Sequence, residues 1–217
     1  MRPASHPFPF LRWGALLWML VWLPAYLHTW GWANLLRLCD VAVFLSVAGI
    51  WFGSRLLLSS QAVGCILPGI FWLLDVGARL STGHFLLGGT EYMFDSHYPL
   101  WVRLLSTFHL FLPLILLYTI HKTGYDPRAF AQQSGIAAIL LVVSRFLAAD
   151  LNVNYVYRDP LWHRAWGPAP LHVFLILFTI IALIYFPTHV ALKRVFYRIS
   201  HAPVGEKVGD QLQPMRG

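Results

Sequence analysis

The sequence predicts an all-α fold: a polytopic membrane protein built as a six-transmembrane-helix bundle. Three observations carry this. The 217 residues are 58% hydrophobic and only 12% charged, with positive mean hydropathy, too apolar for a single water-soluble core of this size. Six apolar runs follow one another, each near the ~20 residues that a 30 Å hydrocarbon layer requires. No stretch alternates apolar and polar residues as a barrel strand does.

The runs lie at 10–27, 35–52, 57–76, 100–120, 130–149 and 171–191. The first begins with Arg12 ahead of a Trp- and Leu-rich stretch, the outline of a signal peptide. Its length and the lack of a small-x-small cleavage site before Trp30 make it a helix instead. Pro99 and Pro170 stand where the fourth and sixth helices can begin, and Asp126 followed by Pro127 reads as an N-cap with proline in the first turn of the fifth. Tyr157, Trp162 and Trp166 suit the aromatic belt at an interface. The chain reads as one domain over residues 1–200, followed by a Gly-, Pro- and charge-rich tail, 201–217, expected to be a disordered cytoplasmic end.

With six spans both termini share a side. That side carries Arg2, Arg12, Arg55, Lys122, Arg128, Lys193, Arg194, Arg198, Lys207 and Arg216, and the other has Arg37, Arg79, Arg103, Arg158 and Arg164. Ten basic residues against five put both termini in the cytoplasm of a multi-pass cell-membrane protein. The net charge of +7 sits at helix ends and in the tail, so anionic headgroups explain it and nucleic acid does not. Cys39 and Cys65 both fall inside helices, which argues against a disulfide framework.

Threaded this way, polar residues gather toward the outer face. Cys39 and Asp40 lie about one turn into the second helix, and Asp75 and Arg79 at the outer end of the third. His109 is nine positions into the fourth, roughly 13 Å deep. Arg145 precedes the outer end of the fifth, with Asp150, Asn152, Asn154 and Tyr155 following, and His172 opens the sixth. The inner half holds mainly Ser59, Ser60, Gln61, Cys65, Gln132 and Gln133. The longest external connection, 81–99, carries His84, Gly88, Gly89, Glu91, Asp95 and His97, and a connection of that size is more often functional than idle. A cavity open toward the outer leaflet is the expected site.

Each residue has a bland reading beside the functional one. Asp75 and Arg79, spaced i,i+4, suit a local ion pair at the interface. Arg145 either snorkels to headgroups or pairs with Asp40 or Asp75 inside the bundle. Asn152, Asn154 and Tyr155 suit the end of a helix as well as a binding role. Cys39 is a small apolar filler or a nucleophile. His109, with Ser106 at i−3, needs an internal partner, and an imidazole at that depth is a functional hypothesis by default. Cys65 has no polar company and reads as an inert control. No HxxxH, HExxH or CxxC spacing occurs, so neither a metal nor another cofactor is expected.

Three segments, "LCDVAVFL" around Cys39, "STFHLFLPL" around His109, and "NVNYVYRDP" followed by "GPAPLHVFLIL", together resemble the YwaF-type six-helix integral membrane family. That family's animal relative is an acyltransferase of ether phospholipid metabolism. The arrangement is more distantly similar to the androgen-induced membrane hydrolases of fatty acid esters. The resemblance implies a Cys–His dyad formed by Cys39 and His109, with the family's Asn-Tyr pair on Asn154 and Tyr155. The "LLGGTEYMFD" loop departs from the pattern. The expected function is a membrane lipid acyl hydrolase or acyltransferase passing through a thioester. Cys39 and His109 are the catalytic pair, with Asp40, Asp75, Arg145, Asn154 and Tyr155 around the substrate. The alternatives are a non-enzymatic lipid-binding or membrane assembly protein, and a small-molecule transporter, which would need polar residues through both leaflets.

Overall fold

The structure is a computed structural model that describes residues 6–200, with side chains through Phe196; the tail read above as disordered lies outside the described residues. Among the described residues it is helical and without strands. Helix α1 (Leu11–Trp30) leads through a 3-10 turn, Trp32–Leu36, to α2 (Leu38–Phe52) and the long α3 (Arg55–Thr82). A connection holding the short turn Glu91–Met93 reaches α4 (Leu100–Leu105) and α5 (Phe108–Thr123), which together form one apolar stretch. Then come α6 (Ala129–Ser144), a second connection with the turn Val153–Tyr155, and α7 (Ala169–Thr179), which continues through a π-helical segment, Ile180–Tyr185, into α8 (Phe186–Ser200).

Every apolar run of the sequence contains a helix, but three stretches are long and apolar enough to cross a membrane: Arg55–Thr82, Leu100–Thr123 and Ala169–Phe196. Helices α2 and α6, with 15 and 16 residues, are about 22 and 24 Å long. Helix α1 has 20 residues, and its four Trp lower its mean hydropathy.

Helix α3 is the hub, packing against α2, α5, α6 and α8. Its fully buried Leu58, Ala62 and Val63 meet Leu116, Ile120, Ala129 and Ala137 from α5 and α6. Small side chains on α3 let its neighbours come close. At Gly69 an added Cβ would stand 2.5 Å from the carbonyl oxygen of His109 and 2.7 Å from Cγ of Pro113. Proline has no N–H to offer the carbonyl four residues earlier, and its ring pushes that carbonyl aside. The residue four before Pro113 is His109, so the freed carbonyl leans on the one place in α3 with no side chain.

Two boundaries differ from expectation. The fifth run was expected to stay helical to 149, yet α6 stops at Ser144. Tyr157 donates from its hydroxyl to the carbonyls of Arg145 and Leu147 (2.8 and 2.7 Å), acceptors that helical N–H groups would have used, and Asn154 holds the helix end by donating to Ser144 Oγ (2.9 Å). Asp126 does not cap α6. It closes a turn by accepting from the N–H of Arg128 (3.0 Å), while the guanidinium of Arg128 holds its carboxyl below the usual carboxylate range.

The 145–168 connection is pinned by Asp159, which is 4% exposed. It accepts from the N–H groups of Leu161, Trp162 and Arg164 and from Nε1 of Trp166. Burial pushes its carboxyl upward, but these donors win and hold it below the usual value. The folded chain therefore binds that proton less readily than the unfolded one. The stabilisation is whole above about pH 4 and is lost as the pH falls through the lowered folded value. Nicking of this connection by an acid-active protease should rise as the pH falls below about 4, and Asp159→Asn should be nicked readily already at about pH 5. Equal rates for both proteins at pH 5 would remove Asp159 as the pin.

Candidate functional site

Cys39 and His109 line one cavity of about 340 Å³ at the end of the bundle where the two long connections meet. Arg37, Asn154, Tyr155 and Pro160 stand at its connection end. Its walls run on past Leu112, Pro113, Ile176 and Ile180 to Ile184 and Tyr185. Tyr185 is 16 residues beyond the start of α7, roughly 24 Å along the rod. Such a volume is within the range of small-molecule sites.

Cys39 is in the first turn of α2, directly after the extended residue Arg37 and Leu38. Asn154 makes that turn possible: its Oδ1 accepts from Leu38 N–H (2.8 Å), and its Nδ2 donates to Leu36 O and Ser144 Oγ (both 2.9 Å). The Asn154 amide thus joins the start of α2 to the end of α6, and both of its hydrogens are used. Among the described residues nothing accepts from the Cys39 N–H, one of the four donors a helix start leaves open. The thiol of Cys39 donates to Asp40 Oδ1 at 3.7 Å, a long contact even for sulfur. The other oxygen of Asp40 accepts from Asn34 Nδ2 (2.8 Å).

His109 enters the cavity from the second residue of α5. The helix tightens at Ser106 and Thr107, where bonds run to the third residue back. Nδ1 of His109 donates to Ser106 O at 2.9 Å, which fixes the proton on Nδ1 and leaves Nε2 with its lone pair and no partner among the described residues. Trp72 lies parallel to the imidazole, 5.4 Å between ring centres and 8° between planes, and Phe108 stacks on it at 4.1 Å. Trp72 Nε1 donates to Tyr92 Oη (3.0 Å), and Ser106 Oγ is bonded to Tyr26 Oη (2.5 Å). The connection that the resemblance could not match therefore reaches the histidine through Tyr92 and Trp72.

Asp75 is buried but is not in the cavity wall. Its Oδ1 gathers the N–H groups of Leu86, Leu87 and Gly88 (2.8, 2.6 and 3.0 Å), and its Oδ2 accepts from Thr90. The ion pair expected with Arg79 is absent, because the backbone of the connection satisfies the carboxylate first. Arg79 instead donates to Gly83 O and lies over Phe85. Arg145 pairs with neither Asp40 nor Asp75. Its guanidinium stacks 3.8 Å above the ring of Tyr157, away from the cavity.

Tyr155 does reach the cavity, at a conformational cost. It has φ 60°, Asn154 φ 55° and Asn152 φ 41°, a left-handed series that a bulky residue rarely joins. His172 holds the series in place by donating from Nε2 to Tyr155 O (3.0 Å) and accepting Trp166 N–H at Nδ1.

Cys65, expected to have no polar company, lines the same cavity as Cys39 and His109. The glutamines read toward the other end of the bundle bond to one another. Gln61 Nε2 donates to Ser60 Oγ (2.9 Å) and Gln133 Oε1 (3.3 Å), and Gln133 Nε2 to Tyr185 Oη (3.4 Å), a buried layer below the cavity. Helical spacing turns these side chains inward, which their depth alone does not reveal. Arg37, Trp72 and Tyr92 are the site residues the sequence reading passed over. The signals were faint: a cation two places before Cys39, and an aromatic one turn before Asp75.

No family model, curated protein or solved structure matches the chain.

Proposed function

We propose that the chain is a multi-pass protein of the cell membrane in which α1, α2, α3, α4 with α5, α6, and α7 with α8 form six spans with cytoplasmic termini. Its cavity would open toward the outer leaflet and carry lipid acyl chemistry, hydrolysis or transfer. Large apolar side chains such as Leu74, Phe111, Ile139, Phe174 and Leu183 are half or more exposed, and lipid is the surrounding that suits them. One observation carries the chemical reading: a thiol and an imidazole with an open Nε2 share a cavity whose walls are mostly apolar.

In this reading His109 Nε2 takes the thiol proton and Cys39 Sγ attacks the ester carbonyl carbon. The C–O bond breaks, His109 returns the proton to the departing alcohol, and a thioester remains. Water or a lysolipid hydroxyl, relieved of its proton by the same imidazole, then releases the acyl group and restores the thiol. The Cys39 N–H and the Tyr155 hydroxyl are the donors suited to the oxyanion. Intact-protein mass after incubation with phospholipid tests this, with adduct mapping to separate Cys39 from Cys65. A hydroxylamine-labile acyl group on Cys39, lost in Cys39→Ala and kept in Cys65→Ala, is the expected result. No adduct and unchanged lipid would sink it.

A second reading, lipid binding without chemistry, draws on the thiol pointing to Asp40 rather than His109. Cys39→Ala and His109→Ala would then leave function intact.

A further inference from the structure

Arg37 is the extended residue between the 3-10 turn and α2, and it lines the cavity together with Cys39. Its Nε donates to Asn34 Oδ1 (2.8 Å), and Asn34 in turn donates to the buried Asp40 (2.8 Å). A neutral amide thus separates cation from acid. Among the described residues the single ion pair joins Arg128 and Asp126, so no carboxylate touches Arg37 directly, and Asp40, one amide away, is the nearest acid linked to it. Nothing among the described residues accepts from its two terminal nitrogens, and no acidic residue lines the cavity. None of the other arginines at this end lines the cavity, and Arg79, Arg103, Arg145 and Arg164 are engaged with Gly83 O, Met93 O, Tyr157 and Trp166.

A guanidinium at the wall of a mostly apolar cavity is best satisfied by an anion, and its planar fork suits the paired oxygens of a carboxylate or phosphate. We propose that Arg37 is a ligand-binding residue that selects an amphiphile with an anionic group, the acyl chain lying along Leu112, Ile176, Ile180 and Ile184. This rests on the reading of the cavity as a lipid site and adds the class of lipid. A fatty-acid carboxylate and a phosphate-monoester headgroup offer the same chemistry.

The test uses the full chain in nanodiscs, with cis-parinaric acid and its neutral methyl ester as fluorescent probes. The wild type should bind the carboxylate at least tenfold more tightly than the ester. Arg37→Gln should reduce that preference to within threefold at unchanged ester affinity, which also reports an intact cavity, and Arg37→Lys should keep part of it. Equal affinities in the wild type, or a preference that persists in Arg37→Gln, would overturn the inference. Displacement of the probe by oleate but not phosphatidate assigns the anion as carboxylate; displacement by phosphatidate admits the headgroup. A preference that depends on Arg37 while Cys39 gains no acyl group would uphold the binding residue and sink the proposed reaction.

Discussion

His109→Ala should slow acylation of Cys39 by about 10²–10⁴-fold, the usual contribution of a positioned general base. The variant removes the ring bonded to Ser106 O and stacked on Trp72, and leaves room in the cavity that Cys39 also lines. Added imidazole should restore part of the rate, because it can occupy that space and accept the same proton. A merely structural histidine would not give this rescue. Trp72→Ala should have a smaller effect of the same sign, since it frees the ring without removing it. Time courses of adduct formation by mass measure all three. A His109→Ala rate within threefold of wild type would remove the imidazole from the mechanism.

Gly69→Ala should be the most destabilising single-methyl change in the bundle, on the order of 3 kcal/mol, the upper end for overpacking. Its Cβ would meet a backbone carbonyl at 2.5 Å and a proline ring at 2.7 Å, and neither can rotate away. Relief requires α3 and α5 to part, which carries His109 with it, so acylation should fall together with stability. Gly77→Ala is the matched control. Its Cβ meets nothing within 4 Å, and a helix gains up to about 1 kcal/mol from the exchange. Denaturant unfolding in detergent compares them; equal midpoints for Gly69→Ala and wild type would rule out the close contact.

Helices were legible because apolar runs of that length allow little else, and their starts were marked by Pro99 and Pro170. Ends were less legible. Nothing local in 145–149 forbids helix, and α6 stops there because Tyr157 and Asn154 arrive from farther along the chain. The same limit applies at the site. Cys39 and His109 could be named as candidates from their residue types and depth, but whether they meet depends on how α2, α3 and α5 pack.

Composition and spacing alone determined that the chain is helical, apolar and provided with a thiol, an imidazole and several polar groups toward one end. Tertiary structure decided which of those groups share a cavity. It drew in Arg37 and Cys65, engaged Asp75 with the backbone of its own connection, and turned Arg145 toward Tyr157. The reason is physical. Hydropathy and helical rise are properties of neighbouring residues, whereas a carboxylate or guanidinium goes to whichever donor or ring packing brings nearest, and those partners come from distant parts of the chain.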